Sequence, residues 1–299
     1  MKPALHAPDP PPARPEAQRP VRVVALRQGV ARTQDDVLAV EAPLQIRIAD
    51  GPDMVTMRTP GHDLELAAGL LYSEGLVRRR EDFLELAYCE ALDDIVRVRL
   101  SDTAPQGVNL ERSGLISSAC GVCGKAELDR ELLAQRPPPP KHHRVDAAVI
   151  LTLPTAARRA QEVFASTGGL HAAALFDTAG RLLDLREDVG RHNALDKLIG
   201  HALLDDRLPL HEHIVLLSGR ASYELIQKCG MAGIPIVCAV SAPSSYAVEL
   251  ASDLGLTLLG FLRSDRFNIY SHPERIRGLD AQHRAADAAL TSRRNHPQA

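Results

Sequence analysis

The sequence contains no apolar run approaching the ~20 residues that a membrane-crossing helix needs, so no membrane span is expected. Neither sign of charge is in excess: 35 Lys and Arg stand against 38 Asp and Glu, a formal net charge of -3. That excludes the bulk basic field with which proteins hold nucleic acid unspecifically. Cysteine is scarce and odd in number, with five residues at positions 89, 120, 123, 229 and 238. In a chain of 299 residues this fits a reducing compartment better than a disulfide framework, and a cytoplasmic location is expected. The opening "MKPALHAPDPPPARPEAQRP" lacks the apolar segment of a secretory signal. Its prolines predict a disordered tail over 1–20.

What is present suffices for a buried core: 45% of the residues are hydrophobic, enough for one large domain or two small ones. No internal repeat is visible. "VRVVALR", "APLQIRIAD" and "DIVRVRL" carry the β-branched alternation of strands. Between them "HDLELAAGLLYSEGL" sets Leu64, Ala67, Ala68 and Leu71 on one helical face, with Gly75 as a stop. A β-rich N-terminal subdomain is expected over 21–136, ending in the "CGVCG" loop and a short helix. The prolines of "QRPPPPKHHR" cannot be helical and mark a linker or exposed loop.

Beyond the linker the pattern changes. "GLHAAALFD" and "RLLDLRED" predict paired strands joined by "TAG". Helical stretches ("HNALDKLIGHAL", "YELIQKCGMAG", "SYAVELASDLG") then alternate with strand-like ones ("HIVLLSG", "IPIVCAV", "LTLLGFL"). This alternation predicts an α/β domain over 137–275, with a mainly parallel sheet covered on both faces. A charged, frayed tail follows, beginning near His272 and taking in 276–299. Ligands of such sheets sit at the carboxyl ends of the strands. Here three successive ends read "SGR", "SAPSS" and "RSDRFN", which points to one shared pocket.

The stretch "SSACGVCGKAEL" poses the chemical question. Cys120 and Cys123 have the spacing of a metal half-site or of a redox pair. Gly121 and Gly124 make the segment pliable. A following helix N-terminus and Lys125 would favour a thiolate, and a thiolate is a nucleophile able to take the outer sulfur of a persulfide. All three uses remain open on spacing alone. Cys89, Cys229 and Cys238 lie in apolar surroundings and read as core residues.

Taken in order, "MRTPGHDLELAAGLLYSEGL", "SSACGVCGKAEL", "TGGLHAAAL", "EDVGRHNALDKLIG", "SGRASYELIQKCGMAGIP", "SAPSSYAVELA" and "GFLRSDRFNIYSHPERI" resemble the formate dehydrogenase accessory sulfurtransferases, the FdhD/NarQ family. The resemblance spans about Val21 to Ile276. It implies a cytidine-deaminase-like three-layer α/β C-terminal part and a homodimer. It further implies a sulfur carrier that accepts persulfide sulfur from a cysteine desulfurase. The sulfur passes to the bis(molybdopterin guanine dinucleotide) molybdenum cofactor required by formate dehydrogenase. By position, Cys120 matches the persulfide-bearing cysteine of the family and Cys123 its partner. The family's cofactor-binding run, Phe-x-Arg-Gly-x-Arg, matches Phe261, Leu262, Arg263, Ser264, Asp265 and Arg266, with Ser264 in place of the usual glycine. If that position needs positive φ, serine there is strained.

The chemistry of these residues suits a ligand with two pyrophosphates. Arg263 and Arg266 are spaced to converge across a turn, and guanidinium groups pair with phosphate bidentately. Arg191 and Arg220 precede helices, where cation and helix N-terminus both attract anions. Asp265 would accept guanine amide protons. Plainer readings stand beside these. Arg191 and Arg220 pair equally well with Glu187 or Glu224. His171 reads as a buried hydrogen-bonded residue, and His192 as a local i,i+4 contact of Asp196. "SAPSS" serves as a helix start, and Tyr223 and Tyr246 as core or pocket wall. The competing function is a cofactor-binding chaperone without a sulfur-transfer step. A zinc hydrolase of the deaminase type fits poorly, because His171 lacks a glutamate two residues on and alanine precedes Cys120. No metal is expected.

Overall fold

A computed structural model describes residues 17–89, 92–105, 114–116 and 143–279. Strands β1 (Gln18–Arg27) and β2 (Val30–Ala39) form an antiparallel hairpin that is a sheet of its own. Gln28 and Gly29 join them with φ of 51° and 79°, the left-handed pair whose twist matches that of the strands. The hairpin begins at Gln18, inside the stretch 1–20 expected to be a disordered tail. Residues 1–16 lie outside the described residues.

Strands β3 (Ala42–Ile48), β4 (Met54–Arg58), β5 (Phe83–Cys89), β6 (Leu92–Leu100) and β7 (Gly114–Ile116) make a five-stranded sheet in the order β5-β6-β3-β4-β7. Helix α1 (Asp63–Ser73) is buried nearly all round, Ala67, Ala68 and Leu71 completely. Gly75, with φ of 79°, stops it as expected.

The C-terminal part runs β8 (Val145–Asp146), α2 (Ala147–Ala160), α3 (Glu162–Thr167), β9 (His171–Phe176), β10 (Leu182–Asp188) and α4 (Arg191–Leu204). It continues β11 (Ile214–Leu217), α5 (Tyr223–Met231), β12 (Ile236–Ala239), α6 (Ser245–Asp253), β13 (Thr257–Gly260), β14 (Asn268–Ser271) and β15 (Ile276–Arg277). Six of these strands form one sheet in the order β10-β9-β11-β12-β13-β14. Its centre, β11-β12-β13, is parallel, whereas β9 pairs antiparallel with both β10 and β11, and β14 antiparallel with β13. The expected mainly parallel sheet is therefore mixed. The reason is connection length: short turns return a strand antiparallel, and a parallel neighbour needs a helical crossover.

Both faces of this sheet are covered. Ala173, Leu175, Val215, Leu217, Val237 and Leu258 face α4, α5, α6 and α1 in one apolar cluster. Ala174, Phe176, Leu216, Ile236, Cys238 and Leu259 face Ile150, Leu153 and Ala157 of α2 in a second. The first cluster also contains Leu44, Ile46, Met54 and Val96 of the five-stranded sheet.

Helices α1 and α4 join the halves at backbone contact. A Cβ on Gly69 would lie 1.8 Å from the carbonyl oxygen of Asp196, and one on Gly200 would lie 1.8 Å from that of Glu65. The chain also stays ordered past His272. A 3-10 turn at Pro273–Arg275 leads into β15, whose Ile276 pairs with Val145 of β8 and is buried beside it in the second cluster. The expected fraying at His272, and the domain limit at 275, are corrected by that pairing. Among the described residues no helix is long and apolar enough to cross a membrane.

Candidate functional site

The ends of β11, β12 and β13 are tied into one shelf by backbone hydrogen bonds that continue beyond the strands. The N–H of Val240 donates to Leu217, that of Ser241 to Gly219, that of Phe261 to Ser241 and that of Leu262 to Ala239, at 3.0–3.2 Å. Leu262 anchors the loop after β13 by being fully buried. The Arg263 N–H then donates to the Arg266 carbonyl at 2.8 Å, closing a tight turn. Arg263 Nη1 donates to the carbonyls of Val240 (2.5 Å) and Leu262 (2.8 Å), which lays the guanidinium across the end of β12.

Above this shelf lies a cleft of about 780 Å³, within the range of small-molecule and cofactor sites. One wall is the strand-end shelf, with Ser218, Val240, Arg263 and Ser264. The other is the end of α2 and the segment after it, with Arg158, Arg159, Phe164 and the Gly168–Gly169 pair. The Arg158 guanidinium stacks over the Phe164 ring, 4.1 Å from its centroid. Glu187 accepts the N–H groups of Val163 and Phe164 at 3.0 and 2.8 Å, fixing the start of α3. Gly168, at φ 67°, ends that helix and turns the chain toward β9. Among the described residues the lining holds three arginines and no acidic side chain.

His171 sits on the floor. Its Nδ1 is 3.3 Å from Ser218 Oγ, which itself accepts the Ala172 N–H at 2.8 Å. Burial, and then the charge of Arg191, lower the imidazole pKa below its ordinary value, so the ring is neutral near pH 7. Arg191 is placed behind this floor by a buried polar weld between "MRTPG" and "EDVGRHNALDK". Asp188, fully buried, takes Lys197 Nζ at 2.7 Å, the Thr59 and Gly190 N–H groups at 3.1 and 2.8 Å, and Asn193 Nδ2 at 3.1 Å. Lys197 also donates to the Thr59 carbonyl at 2.8 Å. Gly219 packs between His171 and Arg191: a Cβ there would sit 3.3 Å from the imidazole and 3.7 Å from Arg191 Cδ.

The anticipated residues thus separate. Arg263 and Ser264 line the cleft, and Arg191 stands behind it. Arg266 is not among the residues that line the cleft. It pairs at 3.9 Å with Asp265 on the exposed turn. Phe261 is half-exposed and Arg220 exposed, neither of them lining the cleft. Ser264 is unstrained: the left-handed residue of this loop is Phe261, at φ 52°. Glu224 pairs with His192 at 3.2 Å, and Asp196 accepts from Lys228 and Ser73 at 2.7 and 2.8 Å, with His192 a further electrostatic neighbour. Ser244 does start a helix, accepting the Ala247 N–H at 3.2 Å. The rings of Tyr223 and Tyr246 pack together at a tilt, centroids 5.1 Å apart, with Tyr246 about half exposed.

Cys229 and Cys238 are buried, and burial pushes both thiols well above their ordinary pKa, which makes them unreactive. Cys120, Cys123 and Lys125 lie outside the described residues. Arg158, Arg159 and Phe164 are the cleft residues that sequence reasoning missed. "TLPTAARRAQEVF" has the apolar spacing of a helix, but Pro154 within it is a breaker by rule, and the double arginine is its surviving mark.

Comparison with known proteins places these features in a family. A model described as the FdhD/NarQ family matches residues 39–277. Proteins named "Sulfur carrier protein FdhD" are similar throughout. That of Streptomyces coelicolor is 47% identical over 272 residues, covering 85% of this chain and 94% of its own. That of the archaeon Sulfurisphaera tokodaii is 44% identical over 259 residues, covering 86% and 98%. A crystal structure from Desulfotalea psychrophila, described provisionally as a formate dehydrogenase accessory protein, superposes with a TM-score of 0.68 at 28% identity. It covers 87% of this chain and 99% of that one. With most of its length matched by the family model and by these relatives, the chain belongs to the FdhD/NarQ family.

Proposed function

We propose that this protein is a sulfur carrier and sulfurtransferase serving formate dehydrogenase. Cys120 thiolate attacks the outer sulfur of a cysteine desulfurase persulfide, the donor S–S bond breaks, and the donor leaves as thiolate. Cys123 assists release. The sulfur passes to the bis(molybdopterin guanine dinucleotide) molybdenum cofactor, the substrate held at the strand-end cleft of a cytidine-deaminase-like layer in a cytoplasmic homodimer.

The observation that carries this reading is the cleft itself: among the described residues, three arginines from two opposed walls, no carboxylate, and a volume suited to a nucleotide. Arg158, Arg159 and Arg263 supply charge-assisted donors for pyrophosphate oxygens. The neutral His171 adds no further positive charge beside these arginines and remains available for hydrogen bonding. The names of the relatives support the sulfur-carrying role.

The test is mass spectrometry of the protein after incubation with a desulfurase and cysteine. A gain of about 32 Da on Cys120, abolished by Cys120→Ala, is expected from persulfide exchange. Undiminished loading of Cys120→Ala overturns the role of that thiol. Labelled sulfur that stays on the protein while cofactor binds tightly makes it a cofactor chaperone instead.

A further inference from the structure

The β1–β2 hairpin is anomalous in this fold. Among the described residues it is a two-stranded sheet by itself, and such sheets are marginal in water without a further strand. It also exposes apolar residues on both faces: Val24 at 73%, Leu26 at 72%, Val30 at 54% and Leu38 at 49%. Residues 30–36 of β2 are exposed without exception.

We propose that β2 pairs antiparallel with β2 of a second copy of this chain, about a two-fold axis at Gln34, making a four-stranded sheet. This names the contact surface for the homodimer in the reading above and rests on self-association, not on sulfur transfer.

The register follows from the hairpin. Arg27 and Val30 flank the two-residue turn and exchange hydrogen bonds. Alternation then turns the N–H and C=O groups of Ala31, Thr33, Asp35 and Val37 outward. One of these donors, the Val37 N–H, is met by the neighbouring Asp36 carboxylate at 2.8 Å. The outward residues of β1 are Leu26, Val24, Arg22 and Pro20, and Pro20 has no N–H to offer, so that edge is blunted. The β2 edge carries no proline. Centred on Gln34, its sequence "VARTQDDVLA" is self-complementary. Arg32 of each copy meets Asp36 of the other, Val30 meets Leu38, Ala31 meets Val37 and Thr33 meets Asp35. The pairs with outward backbone groups coincide with the hydrogen-bonded positions, and Arg32–Asp36 falls on a close, non-hydrogen-bonded pair. The two-fold repeats each pair.

Sedimentation velocity on the full chain tests this. The wild type is expected to be a dimer. Arg32→Asp and Asp36→Arg, which each set two like-charge pairs across the axis, are expected to weaken it at least about tenfold. The double variant restores opposite charges and is expected to recover the dimer, which separates pairing from any damage to the hairpin. Gln34→Cys is expected to form a reducible intermolecular disulfide mapped to position 34, since facing Cα atoms there are about 4.5 Å apart. A wild-type monomer overturns both this proposal and the dimer reading. A dimer indifferent to both charge reversals, or one that fails to cross-link at position 34, overturns this surface and leaves dimerisation itself intact.

Discussion

Replacing Gly69 by alanine sets two effects of opposite sign against each other. Gly69 lies inside α1, and helix propensity alone predicts that alanine gains about 1 kcal/mol there. The tertiary structure predicts the reverse. The added Cβ would stand 1.8 Å from the Asp196 carbonyl oxygen, 2.6 Å from its carbon and 2.9 Å from the Gly200 nitrogen, where real Cβ atoms keep beyond 3.0 Å. All three obstacles are main chain of α4, so no side chain can swing aside. The helices must separate, and the apolar cluster they share must loosen with them. Overpacking of this kind costs about 1–3 kcal/mol, and the upper end applies where backbone meets backbone. Net of propensity, a loss of about 2 kcal/mol is expected, a fall in thermal midpoint of about 3 °C for a chain of this size. Gly200→Ala meets the Glu65 carbonyl at the same 1.8 Å and should behave alike. The double variant should cost clearly less than the sum, because the first separation already makes room for the second methyl. Differential scanning calorimetry reads all three. A midpoint unchanged or raised in Gly69→Ala would refute the reasoning.

Three further outcomes are expected. Lys228→Met leaves the Asp196 carboxylate buried with its Lys228 partner, 2.7 Å away, removed; a loss of about 3–5 kcal/mol in urea unfolding is expected, largely recovered by adding Asp196→Leu. His201 donates to Asp184 and Glu65, and these contacts raise its pKa to about 9; its stabilisation is complete below an unfolded value near 6.5 and is lost as pH rises through about 9. The thermal midpoint of the wild type should therefore fall across that window while His201→Gln stays flatter, and parallel profiles would count against the network. Arg158→Ala, Arg159→Ala and Arg263→Ala should each weaken binding of guanosine diphosphate by about tenfold and reduce its salt dependence, with Arg266→Ala near wild type; calorimetric titration that ranks Arg266 with the other three would contradict the cleft described above.

The sequence by itself determined the local facts. Short continuous apolar runs in "HIVLLSG", "IPIVCAV" and "LTLLGFL" located three buried strands, because a strand covered on both faces has no side left to be polar. Glycine at 75 ended α1, since a left-handed residue there has no Cβ to clash. The polar strand ends were legible too, as were the resemblance and the paired cysteines. Tertiary structure decided what depends on distant segments meeting. It brought Arg158 and Arg159 opposite Arg263, left Arg266 out of the cleft lining, and made the sheet mixed. It gave Asp196 the buried partner Lys228 from the next helix, and it spared Ser264 by placing the positive φ at Phe261. Periodicity encodes which face of an element is buried. It does not encode which remote element covers that face, and an arginine's partner is set by whatever the packing brings within about 4 Å.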